Sequence, residues 1–511
     1  MSSLKGIAKN LTAFFSSHLV VVLQQVALTP LFLKNYGAAG FGEWIALSAS
    51  VSYLGTLDFG IQTFVNQDLT VRYYRGDMQG FHVQQSTALR MMLGIVMVAG
   101  MLAAAVLTMP LEHWLRMDGS AEGPVQSAYT VRGTVFVLAL TVLATILFGF
   151  VSGQFMVLGR AHVGQYWGNA KNASTILCAA PVLWVHGSFL SIAVAQLAGI
   201  LICFVGMLLT LFRVGRDIFP TLRYWDGSSV GAILRPSGYF ALLQSCNFLV
   251  YQMPVLMLER DTGPVAVAIF SITRTIFSMT RHVMNAFTQA IGPEVTTLYA
   301  KLDWPRLCRL YDYSERFIFA LIPIANIGTL FLCPLLLEIW LRKPQMFVPD
   351  VYVLFAAVSI VISAKEHKIQ FQVSTNTHHN LARFMFGINL AAVVAWYFLV
   401  SRFAINGVLW VWLFSEVFQM FYVMRLNGKF FAGHAVLDVK YPVRMALLST
   451  VLLAGALAML PRTAQMALLE QSAVAIAVGL LLLALDVPLF GLVPVWGMMW
   501  GVLQRRLARS T

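Results

Sequence analysis

The residues in this sequence best suited to bind an anion are two arginines, Arg274 and Arg281, in an apolar stretch long enough to cross a membrane. Residues three or four apart share one face of a helix, so both arginines belong to a polar stripe. The stripe consists of Ser271, Arg274, Ser278, Arg281, Asn285 and Thr288. Placing an arginine within hydrocarbon costs roughly 2.5–3.5 kcal/mol, so the two arginines are expected to have a functional or structural role. The stripe either faces a water-filled cavity that binds an anion or pairs with groups on neighbouring helices.

The elements that must position this stripe are membrane helices. The chain has 511 residues, of which 59% are hydrophobic and 11% charged, whereas about 25% of the residues of a soluble domain are charged. Apolar segments of about 20 residues predict about 14 transmembrane helices. We therefore expect an all-α polytopic membrane protein. The five cysteines form no C-x-x-C pattern, so neither a zinc site nor a disulfide framework is predicted.

The distribution of basic residues predicts the orientation of the chain. With the N-terminus in the cytoplasm, 25 of the 35 Lys and Arg residues lie on the cytoplasmic side, Lys365 and Lys368 among them, and 8 lie outside. This bias follows the positive-inside rule and predicts that both termini are cytoplasmic. The net charge of +13 is therefore explained by the orientation of the chain in the membrane, and nucleic acid is excluded as a partner. The first apolar segment is interpreted as a retained helix rather than a removed signal.

An internal repeat divides the chain. A shift of 226 residues places Gly37 on Gly263, and Thr70-x-x-Tyr73-x-Arg75-x-Asp77 on Thr296-x-x-Tyr299-x-Lys301-x-Asp303. Parallel repeats of this kind build transporters with a substrate site between two lobes. The sequence predicts two six-helix lobes related by this repeat, plus two accessory C-terminal helices. The predicted domains are an N-lobe (1–212), a cytoplasmic linker (213–235), a C-lobe (236–425), and accessory helices with a basic tail (426–511).

Other polar residues lie within the predicted helices of the N-lobe. A line of Asn10, Ser17 and Gln24 follows the first helix with His18 beside it, and Gln62 and Asn66 lie in the second (43–65) and just beyond it. Such residues either line a cavity or join helices by hydrogen bonds. Asp58 either pairs with an arginine, serves as a cation or proton site, or caps a helix broken at Gly60.

The remaining polar positions predict no chemistry. Glu416 and Asp486 are carboxylates within predicted transmembrane segments of the C-terminal half of the chain, and neither has a neighbour in the sequence that suggests a function. Gln370, Gln372 and Asn376 are interpreted as a solvated mouth, and His378 and His379 as a solvated loop without ligand spacing. No P-loop occurs, so ATP hydrolysis by this chain is not expected.

The first 80 residues carry a resemblance to a known family. The segments YGAAGFGEW (36–44), YLGTLDFG (53–60) and NQDLTVRYYRGD (66–77) occur in an order that resembles the polysaccharide flippases of the multidrug/oligosaccharidyl-lipid/polysaccharide exporter superfamily. The resemblance implies twelve helices plus two accessory ones, opening alternately to each side of the bacterial inner membrane. It also implies that cavity arginines engage the diphosphate and acidic sugars of a lipid-linked oligosaccharide.

The sequence and this resemblance together predict a transporter rather than an enzyme. Its substrate would be a polyprenyl-diphosphate-linked oligosaccharide repeat unit for O-antigen, capsule or exopolysaccharide, held by Arg274, Arg281, Ser278 and Asn285. The polar residues of the first two helices would contact sugars, and Asp58 and His18 are candidates for coupling or gating. Besides membrane lipids, polysaccharide assembly enzymes are expected partners; no cofactor is expected, and H⁺ or Na⁺ is the expected coupling ion. The alternatives are a cation-coupled multidrug exporter, a peptidoglycan-precursor flippase, and a polysaccharide polymerase or ligase.

Overall fold

The described part of the chain is built from helices. The computed structural model describes residues 28–109, 128–300, 302–375, 377–434 and 438–491, and these contain fourteen α-helices and no strand. The first eight are α1 (28–52), α2 (Ile61–Tyr74), α3 (Met78–Ala105), α4 (Ala128–Val157), α5 (Ala161–Trp184), α6 (Phe189–Val214), α7 (Ser228–Tyr251) and α8 (Met253–Thr262). The others are α9 (Pro264–Ala300), α10 (Trp304–Leu336), α11 (Pro349–Ser374), α12 (His379–Phe430), α13 (Lys440–Thr463) and α14 (Leu468–Leu489). The prediction of an all-α fold is confirmed.

Seven of the helices within the described residues are long and apolar enough to cross a membrane. They are α3, α4, α6, α10, α12, α13 and α14. The chain divides into two compact units, one ending at Ser271 and the other beginning at Ile272, so that the division falls within α9. The lobe and linker boundaries expected from the sequence stay predictions.

Two of the expected transmembrane helices are interrupted in the structure. The second was predicted as continuous from 43 to 65, but α1 passes into a 3₁₀ turn over Tyr53–Asp58. Phe59 and Gly60 then take φ values of 48° and 69° before α2 begins. The seventh was predicted as continuous over 236–258 and instead ends at Tyr251, with Pro254 in the first turn of α8. Proline lacks a backbone N–H and is compatible with a helix start rather than a helix interior.

The two glycines that begin the internal repeat have the same backbone conformation. Gly37 and Gly263 have φ values of 71° and 88°, which glycine adopts without steric cost. An added Cβ would find no atom within 4 Å at either position, so the positive φ rather than crowding accounts for glycine there.

The end of the repeat is also the same turn twice. Gly76 and Leu302 both have positive φ, and the residues that follow, Asp77 and Asp303, have nearly equal dihedrals of −79°, 70° and −83°, 70°. Each aspartate caps the helix that begins after it. Asp77 Oδ1 accepts a hydrogen bond from Gly80 N at 2.9 Å, and Asp303 Oδ1 accepts from Arg306 N at 3.3 Å. The predicted sequence repeat is therefore matched by a structural one.

Removing either cap should destabilise the protein by a similar amount. Asp77→Ala and Asp303→Ala each leave backbone N–H groups of the first helical turn without an acceptor, which costs about 1 kcal/mol. Asparagine is nearly as good a cap, so Asp77→Asn and Asp303→Asn are the matched controls. Thermal unfolding of the detergent-purified variants measures the loss. Alanine variants that unfold at the same temperature as the asparagine variants would contradict a capping role.

In the second unit, α9 packs along both α10 and α11. The Phe277 and Phe355 rings stack with centroids 5.7 Å apart between α9 and α11. The Thr280 and Thr329 hydroxyls are 2.9 Å apart between α9 and α10. The face of α9 that carries the arginine stripe is thereby held beside α11.

The helix α12 consists of two helical segments separated by a break. Ala404 has φ 48° and ψ −132°, which is not helical, so the chain breaks at this residue. The predicted helices 381–400 and 405–425 lie on its two sides. Trp396, before the break, donates its indole N–H to the carbonyl of Val408 at 3.0 Å and so joins the two halves.

Candidate functional site

The predicted anion-binding stripe lies on α9, and its central residues are accessible. Arg274, Ser278, Arg281 and Asn285 are each half-buried, as is expected of residues beside a cavity rather than in a core. The ends of the stripe, Ser271 and Thr288, are buried. Ser278 donates its hydroxyl proton to the carbonyl of Thr275 at 2.8 Å.

A carboxylate that the sequence analysis did not single out faces this stripe. Glu366, on α11, accepts a hydrogen bond from the side chain of Asn285 and interacts electrostatically with Arg281. Its Oε2 atom is enclosed by protein and has no hydrogen-bond partner among the described residues. Arg281 therefore has an internal counter-charge, as the paired interpretation of the stripe expects, and the cavity interpretation stays a prediction.

The residue before Glu366 belongs to a buried ion pair. Lys365 forms a salt bridge to Glu416 on α12 and donates a hydrogen bond to Gln419 Oε1 at 2.8 Å. Glu416 also accepts the indole N–H of Trp412 at 3.2 Å, and Gln419 donates to Asn389 Oδ1 at 2.9 Å. This hydrogen-bonded network compensates two charges that are almost fully removed from water.

A second buried ion pair lies one turn further along α11. Lys368 forms a salt bridge to Glu315 on α10 and donates a hydrogen bond to the Tyr311 hydroxyl at 2.7 Å. Both charged side chains are about 2% exposed. Between the two lysines, His367 is buried with its Nε2 3.0 Å from the Ser314 hydroxyl. The four-residue segment Lys365–Lys368 thus contacts three different helices.

These pairs correct two interpretations made from the sequence. Lys365 and Lys368 were counted as cytoplasmic, but both are buried against other helices and do not report on topology. Glu416 was described as having no neighbour that suggests a function, and it is the partner of Lys365. Four successive polar residues, including two lysines, within an apolar helix were the signal that could have indicated a buried charge cluster.

The predicted solvated mouth and loop at the end of α11 are also partly buried. Gln372 donates to Asn427 Oδ1 at 2.7 Å, and Asn427 donates to the carbonyl of Lys368 at 3.1 Å. Gln372 and His378 are 3% and 8% exposed, so neither is solvated. Gln370 bonds to Ser374 at 3.0 Å and His379 is exposed, while Asn376 lies outside the described residues. The described residues contain no cluster of potential metal ligands.

In the first unit, Asp58 and Gln62 connect the break between α1 and α2. Asp58 is buried, and its Oδ1 accepts the backbone N–H of Gln62 at 3.2 Å. This contact is the helix-cap arrangement considered from the sequence. Gln62 in turn donates its amide to the carbonyl of Ile146 on α4 at 3.0 Å.

Asn66 meets α4 one turn after Gln62. A Cβ added to Gly149 or Gly153 would collide with Gln62 and Asn66 respectively, so the two glycines provide notches for these amides. The structure therefore places both side chains at a contact between helices, and their contact with sugars stays a prediction. Asn10, Ser17, His18 and Gln24 lie outside the described residues.

Comparison with known proteins identifies the fold. Neither models of protein families nor curated protein sequences match the chain. Among solved structures, an inward-facing multidrug resistance MATE family transporter of the MOP superfamily is similar with a TM-score of 0.66 at 14% identity, over 82% of this chain and 96% of that one. The lipid II flippase MurJ in an inward closed conformation is similar with a TM-score of 0.67 at 10% identity, over 94% and 99%.

A third similar structure is the MATE multidrug transporter DinF-BH in complex with R6G. Its TM-score is 0.58 at 17% identity, over 83% of this chain and 95% of that one. All three are described as transporters or as a flippase rather than as enzymes. The likeness covers most of every chain and shows that this protein shares the all-α fold of these three structures.

Proposed function

We propose that this protein is a flippase of the bacterial inner membrane for a polyprenyl-diphosphate-linked oligosaccharide. The observation that carries the proposal is the half-buried stripe of Arg274, Arg281 and Asn285 on one helix of a membrane-transporter fold. A guanidinium presents a fork of N–H donors that matches two phosphate oxygens at once. The diphosphate would bind at the arginines, and the neighbouring amide and hydroxyl groups would contact the first sugar.

The nature of the stripe argues against cationic drugs as substrates. Two of the similar structures are described as multidrug transporters. A site for cations is expected to offer carboxylates and aromatic faces. Here the charged residues of the α9 stripe are arginines, and the facing Glu366 is already in contact with Asn285 and within the electrostatic field of Arg281. An anionic head group is therefore the better fit.

A peptidoglycan precursor is the second candidate substrate. The specific observation in its favour is the likeness to the lipid II flippase MurJ, which covers 94% of this chain. Both candidate substrates are lipid-linked saccharides, so the stripe suits either. The experiment below separates them by the intermediate that accumulates.

Deletion of the gene in its native host tests the proposed function. We expect a complete lipid-linked oligosaccharide repeat unit to accumulate in extracted lipids, and the wild-type gene to return the pool to its normal level. Accumulation of the peptidoglycan precursor would instead establish the second candidate. Unchanged lipid-linked intermediates, together with raised sensitivity to cationic drugs, would replace both by the multidrug exporter.

A further inference from the structure

The charges in the cluster around Glu366 are balanced. Glu366 is surrounded by Arg281 from α9, Lys365 on its own helix and Glu416 from α12. Two positive and two negative side chains leave no net charge, and α10 adds none because its Glu315 pairs with Lys368. A dianionic diphosphate entering this cluster would therefore leave it with uncompensated negative charge, which is unfavourable away from water.

Of the two carboxylates in the cluster, Glu366 is the one that can give up its contacts and accept a proton. Glu416 is 2% exposed and held by Lys365 and by the indole of Trp412. Glu366 is half-buried, and its Oε2 atom has no hydrogen-bond partner among the described residues. A proton on that oxygen would disturb no existing hydrogen bond, because the other oxygen remains available to Asn285.

We propose that Glu366 is the resident counter-ion of the anion site and that a diphosphate head group takes its place at Arg281 and Asn285 while Glu366 takes up one proton. The inference rests on the proposed function, because it identifies the group with which the substrate competes for the arginine. The step moves one proton from water to a carboxylate oxygen, and no other bond forms or breaks. The cluster then carries one net positive charge toward the anion.

Proton uptake on binding gives this exchange a direct signature. A step that takes up one proton makes affinity fall up to about tenfold per pH unit as the pH rises. Inorganic pyrophosphate is the probe, and it also becomes more negatively charged as the pH rises. The contribution of Glu366 is therefore the difference in proton uptake between the wild-type protein and Glu366→Gln. Titration calorimetry in buffers of different ionisation enthalpy counts the protons taken up per anion bound.

We expect the detergent-purified wild-type protein to take up about one proton more per pyrophosphate than Glu366→Gln at neutral pH. The variant should also bind more tightly than wild type at higher pH. Glu366→Asp should retain the uptake because it keeps a carboxylate. Asp312→Asn is the matched control, since it neutralises a partly exposed carboxylate on α10, and its uptake should equal that of wild type.

The outcomes separate this inference from the proposed function. Equal proton uptake in wild type and Glu366→Gln, with binding still dependent on Arg281, would overturn the exchange and leave the anion site intact. Failure of wild type and of all variants to bind pyrophosphate would remove the anion site itself. If the Glu366→Gln protein does not fold, Glu366→Ala replaces it in the test, and proton uptake by Glu366→Ala equal to that of wild type would likewise overturn the exchange.

Discussion

Replacing Arg281 with alanine should abolish the proposed flipping while the protein remains in the membrane. The variant should fail to restore the lipid-linked intermediate pool in the deletion host, because it lacks the guanidinium that can donate two N–H hydrogen bonds to a phosphate group. Lysine keeps the charge but not the fork, so Arg281→Lys should restore the pool only partly. Arg309→Ala, which removes an exposed arginine on α10, is the matched control and should behave as wild type.

The double variant Arg281→Ala/Glu366→Gln separates a direct from an indirect effect. Alanine at position 281 also leaves Glu366 without part of its counter-charge, and this alone could impair the protein. If Arg281 binds the substrate, the double variant remains inactive, because the added amide supplies no anion-binding group. Recovery of flipping in the double variant would show that Arg281 serves only to neutralise Glu366.

The second large effect is expected at the buried pair of Lys368 and Glu315. Lys368→Met leaves the Glu315 carboxylate and the Tyr311 hydroxyl without their shared partner in a site closed to water. Breaking a buried ion pair from one side costs about 3–5 kcal/mol. We therefore expect a large fall in unfolding temperature, or a fall in the yield of monodisperse protein, measured in detergent.

Removing both charges of this pair should cost much less than removing one. The variant Lys368→Met/Glu315→Leu replaces the ion pair by apolar side chains, a change that is often neutral in protein interiors. The excess of the single variant's loss over that of the double measures the cost of a stranded charge. If the double variant is less stable than Lys368→Met, the carboxylate has a structural partner other than Lys368.

The sequence was sufficient for the features that depend on local patterns. Apolar runs indicated the helices, and the matched glycines and aspartates indicated a repeat whose turns have the same dihedrals in the structure. Spacings of three and four placed Arg281 and Asn285 on one face of α9. The helices and the shared face of α9 need only residues that lie close together in the chain, and the repeat needs only a comparison of the sequence with itself.

The features that the sequence did not reveal depend on contacts between distant residues. Lys365 and Glu416 are separated by 51 positions, and Lys368 and Glu315 by 53. A count of basic residues assigns a lysine near the end of an apolar segment to the adjacent loop, because it contains no information about which helix faces meet. The same limitation left Glu366 out of the predicted anion site.

The four-residue segment from Lys365 to Lys368 has a mechanical consequence. Lys365 ties α11 to α12, and Lys368 ties it to α10, one turn apart and toward different neighbours. Sliding or rotating α11 against either helix would separate opposite charges where no water can replace the lost partner. In the proposed transport cycle we therefore expect these three helices to move as one unit, with the hinges outside their mutual contacts.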